Sequence, residues 1–261
     1  MSLPVPTLHS TGDGPPVLLL HPLGVDRSFW DDVVAALAGF EVLTYDFPGH
    51  GTTPAPAQSY TIDDLAAQAR SLLAGAGHAR VDVVGVSLGG LVAQRLAADA
   101  PDLVRRLVVV DAVAVYPEPL REMWRDRAAR APVEGMEPFV DPTLTLWFTG
   151  DRLAEGGPVV QSVRRALLAT DPRGYALACR ALDQADVTDA LDRIVAPTLV
   201  VCGEDDAPPF TAAANDLAAR LPGARLVWLA PARHAGVLEQ PEQFRAALVE
   251  FLTASHEEVP R

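Results

Sequence analysis

Cysteine is nearly absent from this chain. Its two residues among 261, Cys179 and Cys202, are too few to staple a fold with disulfides. Cys179 falls in a helical stretch and Cys202 ends an apolar strand-like run, so both are expected to be reduced and packed. Basic residues are also in deficit: 34 acidic side chains against 21 basic ones leave a formal net charge of −13. That balance repels nucleic-acid phosphates and anionic lipid alike, so neither is an expected partner. No apolar run approaches the ~20 residues of a membrane helix. The opening MSLPVPTLHS lacks the basic start and apolar stretch of a secretory signal, and a cytoplasmic protein is expected.

What is present is an ordinary globular composition, 49% hydrophobic and 21% charged, in a length that fits one domain with room for an insertion. Short apolar runs alternate with helical patterns, the signature of parallel strands joined by crossover helices. Strands are expected at Val17 to Leu20, Glu41 to Tyr45, Val81 to Val86, Leu107 to Val110, Thr198 to Cys202 and Leu226 to Leu229. Helical patterns cover Phe29 to Ala38, Leu88 to Ala98 and Glu242 to Leu252. Thr61 with Asp64 resembles a capping box that starts a helix through Ala74. From Tyr116 to Ile194 the pattern turns to helices broken by Pro and Gly, without a convincing buried strand. The expected organisation is a core of residues 1–115 and 195–261 with a helical lid of residues 116–194. Trp124 and Trp147 lie in the lid and, with His21, are candidate pocket residues. The tail after Thr253 is charged and expected to fray.

Gly85-Val86-Ser87-Leu88-Gly89 fits G-x-S-x-G between an apolar strand and a helix, the context this motif requires. A serine on so sharp a turn needs neighbours two residues away without side chains; Gly90 would let the helix approach the sheet. Leu88 opens the helix, placing its N–H and the positive end of the helix dipole at the reaction centre.

Ser87 needs a base of near-neutral pKa, and histidine supplies one. Six histidines are available. His9, His78 and His256 sit in polar or terminal segments and are expected to be solvated. His50 lies in a Pro-Gly-His-Gly turn, and His21 ends the first strand. His234 follows the last strand, near the carboxyl ends of the strands where catalytic groups of open α/β sheets gather, and is the candidate base. Gly203-Glu204-Asp205-Asp206 offers three carboxylates beyond the preceding strand, and spacing leaves Asp205 and Asp206 both open. A second oxyanion donor is expected from the Leu23 N–H, in the turn His21-Pro22-Leu23-Gly24, to pair with that of Leu88.

Through His21-Pro-Leu-Gly24, Pro48-Gly-His-Gly51, Gly85-Val-Ser-Leu-Gly-Gly90, Gly203-Glu-Asp-Asp206 and His234, the chain resembles the α/β-hydrolase fold family over its whole length. The resemblance implies an α/β fold: a mostly parallel central sheet flanked by helices, with a helical lid insertion. It selects Asp206 as the acid, three residues after the strand-ending glycine. More narrowly, the chain looks like 3-oxoadipate enol-lactonases, through Leu23-Gly-Val-Asp26, Phe29-Trp-Asp31, Leu146-Trp-Phe148, Leu167-Leu-Ala-Thr-Asp-Pro172 with Gly174-Tyr175, and Leu238-Glu-Gln-Pro-Glu242. It departs from them at His21-Pro22, where they often carry a polar pair, and at Pro48, where they often carry arginine. The implied activity is hydrolysis of a small lactone or ester by Ser87, Asp206 and His234, with no metal or organic cofactor. A general carboxylesterase, a carbon-carbon bond hydrolase of ring-cleavage products and a ligand-binding protein with a vestigial triad are the alternatives. A lid arginine is expected to receive the substrate carboxylate.

Overall fold

The seven strands of the sheet are β1 (His9–Thr11), β2 (Pro16–Leu20), β3 (Glu41–Thr44), β4 (Val81–Val86), β5 (Val104–Val110), β6 (Thr198–Gly203) and β7 (Arg225–Leu229). They follow the order β1-β3-β2-β4-β5-β6-β7 in a computed structural model that describes residues 3–254. β1 runs antiparallel to β3 at one edge, and the other pairings are parallel. Alternating side-chain direction divides each strand between two cores. Leu18, Leu20, Val83, Leu107, Val109 and Val200 face one; Val17, Leu19, Val84, Val108, Val110 and Val201 face the other.

Helices cover both faces, as a parallel sheet requires. In the core they are α1 (Asp31–Ala36), α2 (Ile62–Gly75) and α3 (Leu88–Asp99); α4 (Glu118–Glu134), α5 (Glu137–Trp147), α6 (Gly150–Glu155), α7 (Pro158–Ala169) and α8 (Pro172–Asp183) fill the interval between β5 and β6. The chain closes with α9 (Pro208–Arg220), α10 (Gly236–Glu239) and α11 (Pro241–Thr253). α2 starts on the expected capping box: the Thr61 hydroxyl accepts from Asp64 N–H, while the Asp64 carboxylate accepts from Thr61 N–H. No helix among the described residues is long and apolar enough to cross a membrane.

Several local expectations need correction. Phe29 to Ala38 divides into a 3-10 turn, Arg27–Trp30, and the short α1. β5 starts earlier than expected, and Arg105 and Arg106 within it face Asp82 of β4, a fully buried carboxylate inside a run that reads as apolar. The antiparallel β1 and the helix α9 leave no clear pattern in the sequence. His9 and His78 are half-buried instead of solvated, His78 with Nε2 3.8 Å from the Glu41 carboxylate. His256 and the tail residues 255–261 lie outside the described residues.

Candidate active site

β4 ends at Ser87, which adopts φ 53 and ψ −111, a left-handed conformation that costs energy for any residue but glycine. Two contacts hold it there. The Ser87 N–H donates to the Val110 carbonyl of β5 at 2.9 Å, and its own carbonyl accepts from Leu91 N–H at 3.1 Å. The glycines on either side are sterically obligatory. A Cβ on Gly85 would meet the Gly89 carbonyl, and one on Gly89 the Leu20 carbonyl of β2. The elbow therefore rests on the end of β2, whose Leu20 is in register with Gly85. Leu23 lies three residues beyond that point, and Leu88 presents one of the unpaired N–H groups of the first turn of α3.

β6 ends in the acidic turn. Glu204 and Asp205 are exposed, whereas Asp206 is buried. One Asp206 oxygen accepts from the Ala207 N–H at 2.7 Å. The other lies 2.8 Å from Nδ1 of His234, in the loop after β7. A carboxylate there draws the ring proton to Nδ1 and leaves Nε2 as the basic nitrogen. Burial acts most strongly on His234, lowering its pKa, but the Asp206 charge and the Asp206 hydrogen bond, with Asp111 adding least, together outweigh it. The net pKa lies above the ordinary 6.5.

Tyr116, beyond the end of β5, is buried. Burial pushes the pKa of its phenol up, and the Asp206 charge adds to that rise. Asp111, at the end of β5, adopts φ 45 and takes the Gly203 N–H at 2.8 Å. Single ligand atoms of Asp111, Cys202 and Asp206 lie within 4.8 Å of one another, the one metal-capable group found among the described residues. The two Asp206 oxygens are already engaged, which leaves the set poorly suited to a cation.

The expected pocket residues divide. Trp147 is tilted on the His234 ring, centroids 6.5 Å apart. Trp124 packs edge-on against Tyr116 at 5.7 Å. His21 belongs to the scaffold instead: fully buried, it accepts the Phe47 N–H on Nε2 at 2.9 Å, so Nδ1 carries the proton donated to the Pro22 carbonyl. Phe210 and Arg127 had no sequence signal that singled them out. Phe210 of α9 packs on the His234 ring. Arg127, one helical turn after Trp124, is buried with no carboxylate in reach among the described residues; one of its nitrogens serves Thr143 and the Tyr175 hydroxyl, at 3.0 and 2.8 Å. Its guanidinium also lies 5.5 Å from the Trp124 ring centre. Tyr175 in turn borders the Gly24 backbone, next to Leu23. A cavity of about 230 Å³ opens elsewhere, between Phe29, Asp31, Asp32 and Val163.

Residues 17–247 match the model of the Alpha/beta hydrolase family. The chain is 30% identical to 3-oxoadipate enol-lactonase 2 of Acinetobacter baylyi, over 90% of this chain and 88% of that one. It is 31% identical to a putative carbamate hydrolase, RutD, of Escherichia coli, over 93% and 92%. Its fold superposes on the crystal structure of the enol-lactonase from Burkholderia xenovorans LB400 with a TM-score of 0.90 and 35% identity, covering 97% of this chain and 98% of that one. A strained serine between a buried strand and a helix, on the strand edge that carries a histidine–carboxylate pair, accords with these likenesses: the chain is a hydrolase and belongs to the α/β-hydrolase family.

Proposed function

We propose that the protein hydrolyses a small carboxylate-bearing lactone or ester, with 3-oxoadipate enol-lactone as the leading candidate. Ser87 is the nucleophile, His234 the base and Asp206 the acid that orients it. The observation that carries this reading is the 2.8 Å contact between His234 Nδ1 and a buried Asp206, on the strand edge where the Ser87 elbow ends. Nε2 of His234 removes the Ser87 proton as Oγ attacks the carbonyl carbon. The oxyanion is held by the N–H groups of Leu23 and Leu88, and the leaving oxygen takes the proton back from His234. Water then repeats the sequence to free the acid and Ser87. An enol-lactone gives an enolate leaving group that tautomerises to a ketone, which eases the demand on the general acid.

Helices α4 to α8 serve as the lid over this centre. Arg127 supplies the cation expected from a lid arginine, because a buried guanidinium without a carboxylate has capacity for an anionic substrate group. Trp124 and Trp147 form apolar walls. A general carboxylesterase, a carbon-carbon bond hydrolase and a carbamate hydrolase would use the same three side chains, so rates on a panel of lactones, aryl esters, carbamates and dienoates choose among them. The chemistry itself is tested by Ser87→Ala, which should lower turnover on the order of 10⁶ without unfolding the protein. Near-normal turnover, or failure of a fluorophosphonate to label Ser87 in the unaltered protein, would refute the proposal.

A further inference from the structure

The reaction above makes no use of Asp111, although its side chain is 1% exposed and its backbone holds a left-handed conformation. One carboxyl oxygen accepts from Gly203 N–H at 2.8 Å; the other, Oδ2, has no hydrogen-bond partner. The charged and titratable groups facing it are Asp206 and Cys202 from β6 and the turn after it, and His234 from the loop after β7. No arginine is among them.

Two buried carboxyls this close do not both ionise. The charge stays where the donors are. Asp206 receives the Ala207 N–H on one oxygen and the His234 Nδ1–H on the other, whereas Asp111 receives the Gly203 N–H and only the weak donor of the Cys202 thiol. We propose that Asp111 is a positioning residue of this site, held as the neutral acid, whose Oδ2–H is donated to Asp206. That proton turns an unpaired buried acceptor into a donor and keeps a single negative charge behind His234. Burial first, and then the Asp206 charge, push the Asp111 carboxyl up to about 8, against the opposing pull of His234, the Gly203 N–H and the Cys202 thiol.

Two consequences have a definite sign. Loss of the proton near pH 8 puts a second negative charge beside Asp206, strengthens proton binding by His234 and removes the donor, so kcat/KM declines on the alkaline side. The folded protein also retains a proton that the unfolded chain releases from 3.8 upward, so stability falls as pH rises from 3.8 to about 8.

The activity readout rests on the triad reading; the stability and infrared readouts do not. Asp111→Asn keeps an acceptor for Gly203 and a neutral donor toward Asp206. Its turnover at neutral pH should stay within about threefold of the parent, its alkaline decline should vanish, and its Tm at about pH 8 should exceed the parent's while matching it more closely at about pH 4. An alkaline decline unchanged in the variant, or a Tm difference that does not grow with pH, overturns the proposal. Should the variant not fold, difference infrared spectra of the parent protein decide. A protonated-carboxyl band that persists at neutral pH and bleaches near 8 is expected, and its absence refutes the neutral acid whatever the enzyme's substrate.

Discussion

The Phe210 ring lies 4.2 Å from the His234 ring, centroid to centroid, at a tilt of 52°. Phe210 is four residues beyond Asp206, at the start of α9, so one short segment gives the imidazole both its carboxylate partner and an apolar cover. The cover keeps water from the histidine–carboxylate bond, and in a dry environment that bond is stronger.

Truncating Phe210 should therefore do more than open a cavity. Phe210→Ala is expected to cost about 3–5 kcal/mol of stability, and kcat/KM to fall about tenfold as the imidazole loses its support. Denaturant unfolding and steady-state kinetics measure the two effects, and Phe210→Leu should restore most of both. Unchanged kinetics in a destabilised Phe210→Ala would deny the ring any part in placing His234.

In the proposed mechanism His234 sets the acidic limit of activity. Because the His234 pKa lies above 6.5, kcat/KM should fall as pH drops through a value above 6.5. The same shift adds stability that is fully present below 6.5 and lost as pH rises through the folded value. Asp206→Asn removes the largest raising influence and leaves burial to dominate, so the acidic limb should move below 6.5 while the plateau drops by about 10⁴. A pH–rate profile of each protein checks both, and a limb that stays in place contradicts the assignment.

Arg127→Gln removes the charge but leaves a donor for Thr143 and Tyr175. For a carboxylate-bearing lactone KM should rise by roughly 10- to 100-fold, the value of a charge-assisted hydrogen bond. A neutral aryl ester should be nearly unaffected. Equal losses on both substrates would make Arg127 a structural residue alone.

Asp46 braces the loops beside the site: one oxygen takes the Arg27 N–H, the other the Thr52 N–H and hydroxyl, each at 2.9 Å. Burial is the largest influence and opposes ionisation, but these hydrogen bonds outweigh it and lower the pKa. Asp46→Ala should cost about 3 kcal/mol near neutral pH. The contribution is present above 3.8 and lost as pH falls through the depressed value, so the gap between variant and parent should narrow in acid. Urea unfolding at two pH values measures it.

Much of this site is local in the chain. The G-x-S-x-G elbow, the run of β4 and the Thr61 capping box depend on neighbours a few residues apart, and each folds as its pattern indicates. The choice of Asp206 over Asp205 came from family resemblance, and burial gives its physical basis. Phe210 and Arg127 were illegible because an aromatic or an arginine on a helix reads alike whether it meets solvent, core or active site. The partners of His21 are illegible for the same reason: its two ring nitrogens find them through folding, at Phe47 and Pro22.

By itself the sequence determined the alternation of strands and helices, the strained turn at Ser87 and the placing of Ser87, the acidic turn and His234 at strand ends, since periodicity and steric demand act over short spans of chain. Only the tertiary structure decided which carboxylate reaches His234, that Arg127 is buried, and that Asp111 stands close to Asp206. Those facts depend on burial and on distances between strands far apart in the chain, where desolvation gives a polar group its energetic weight.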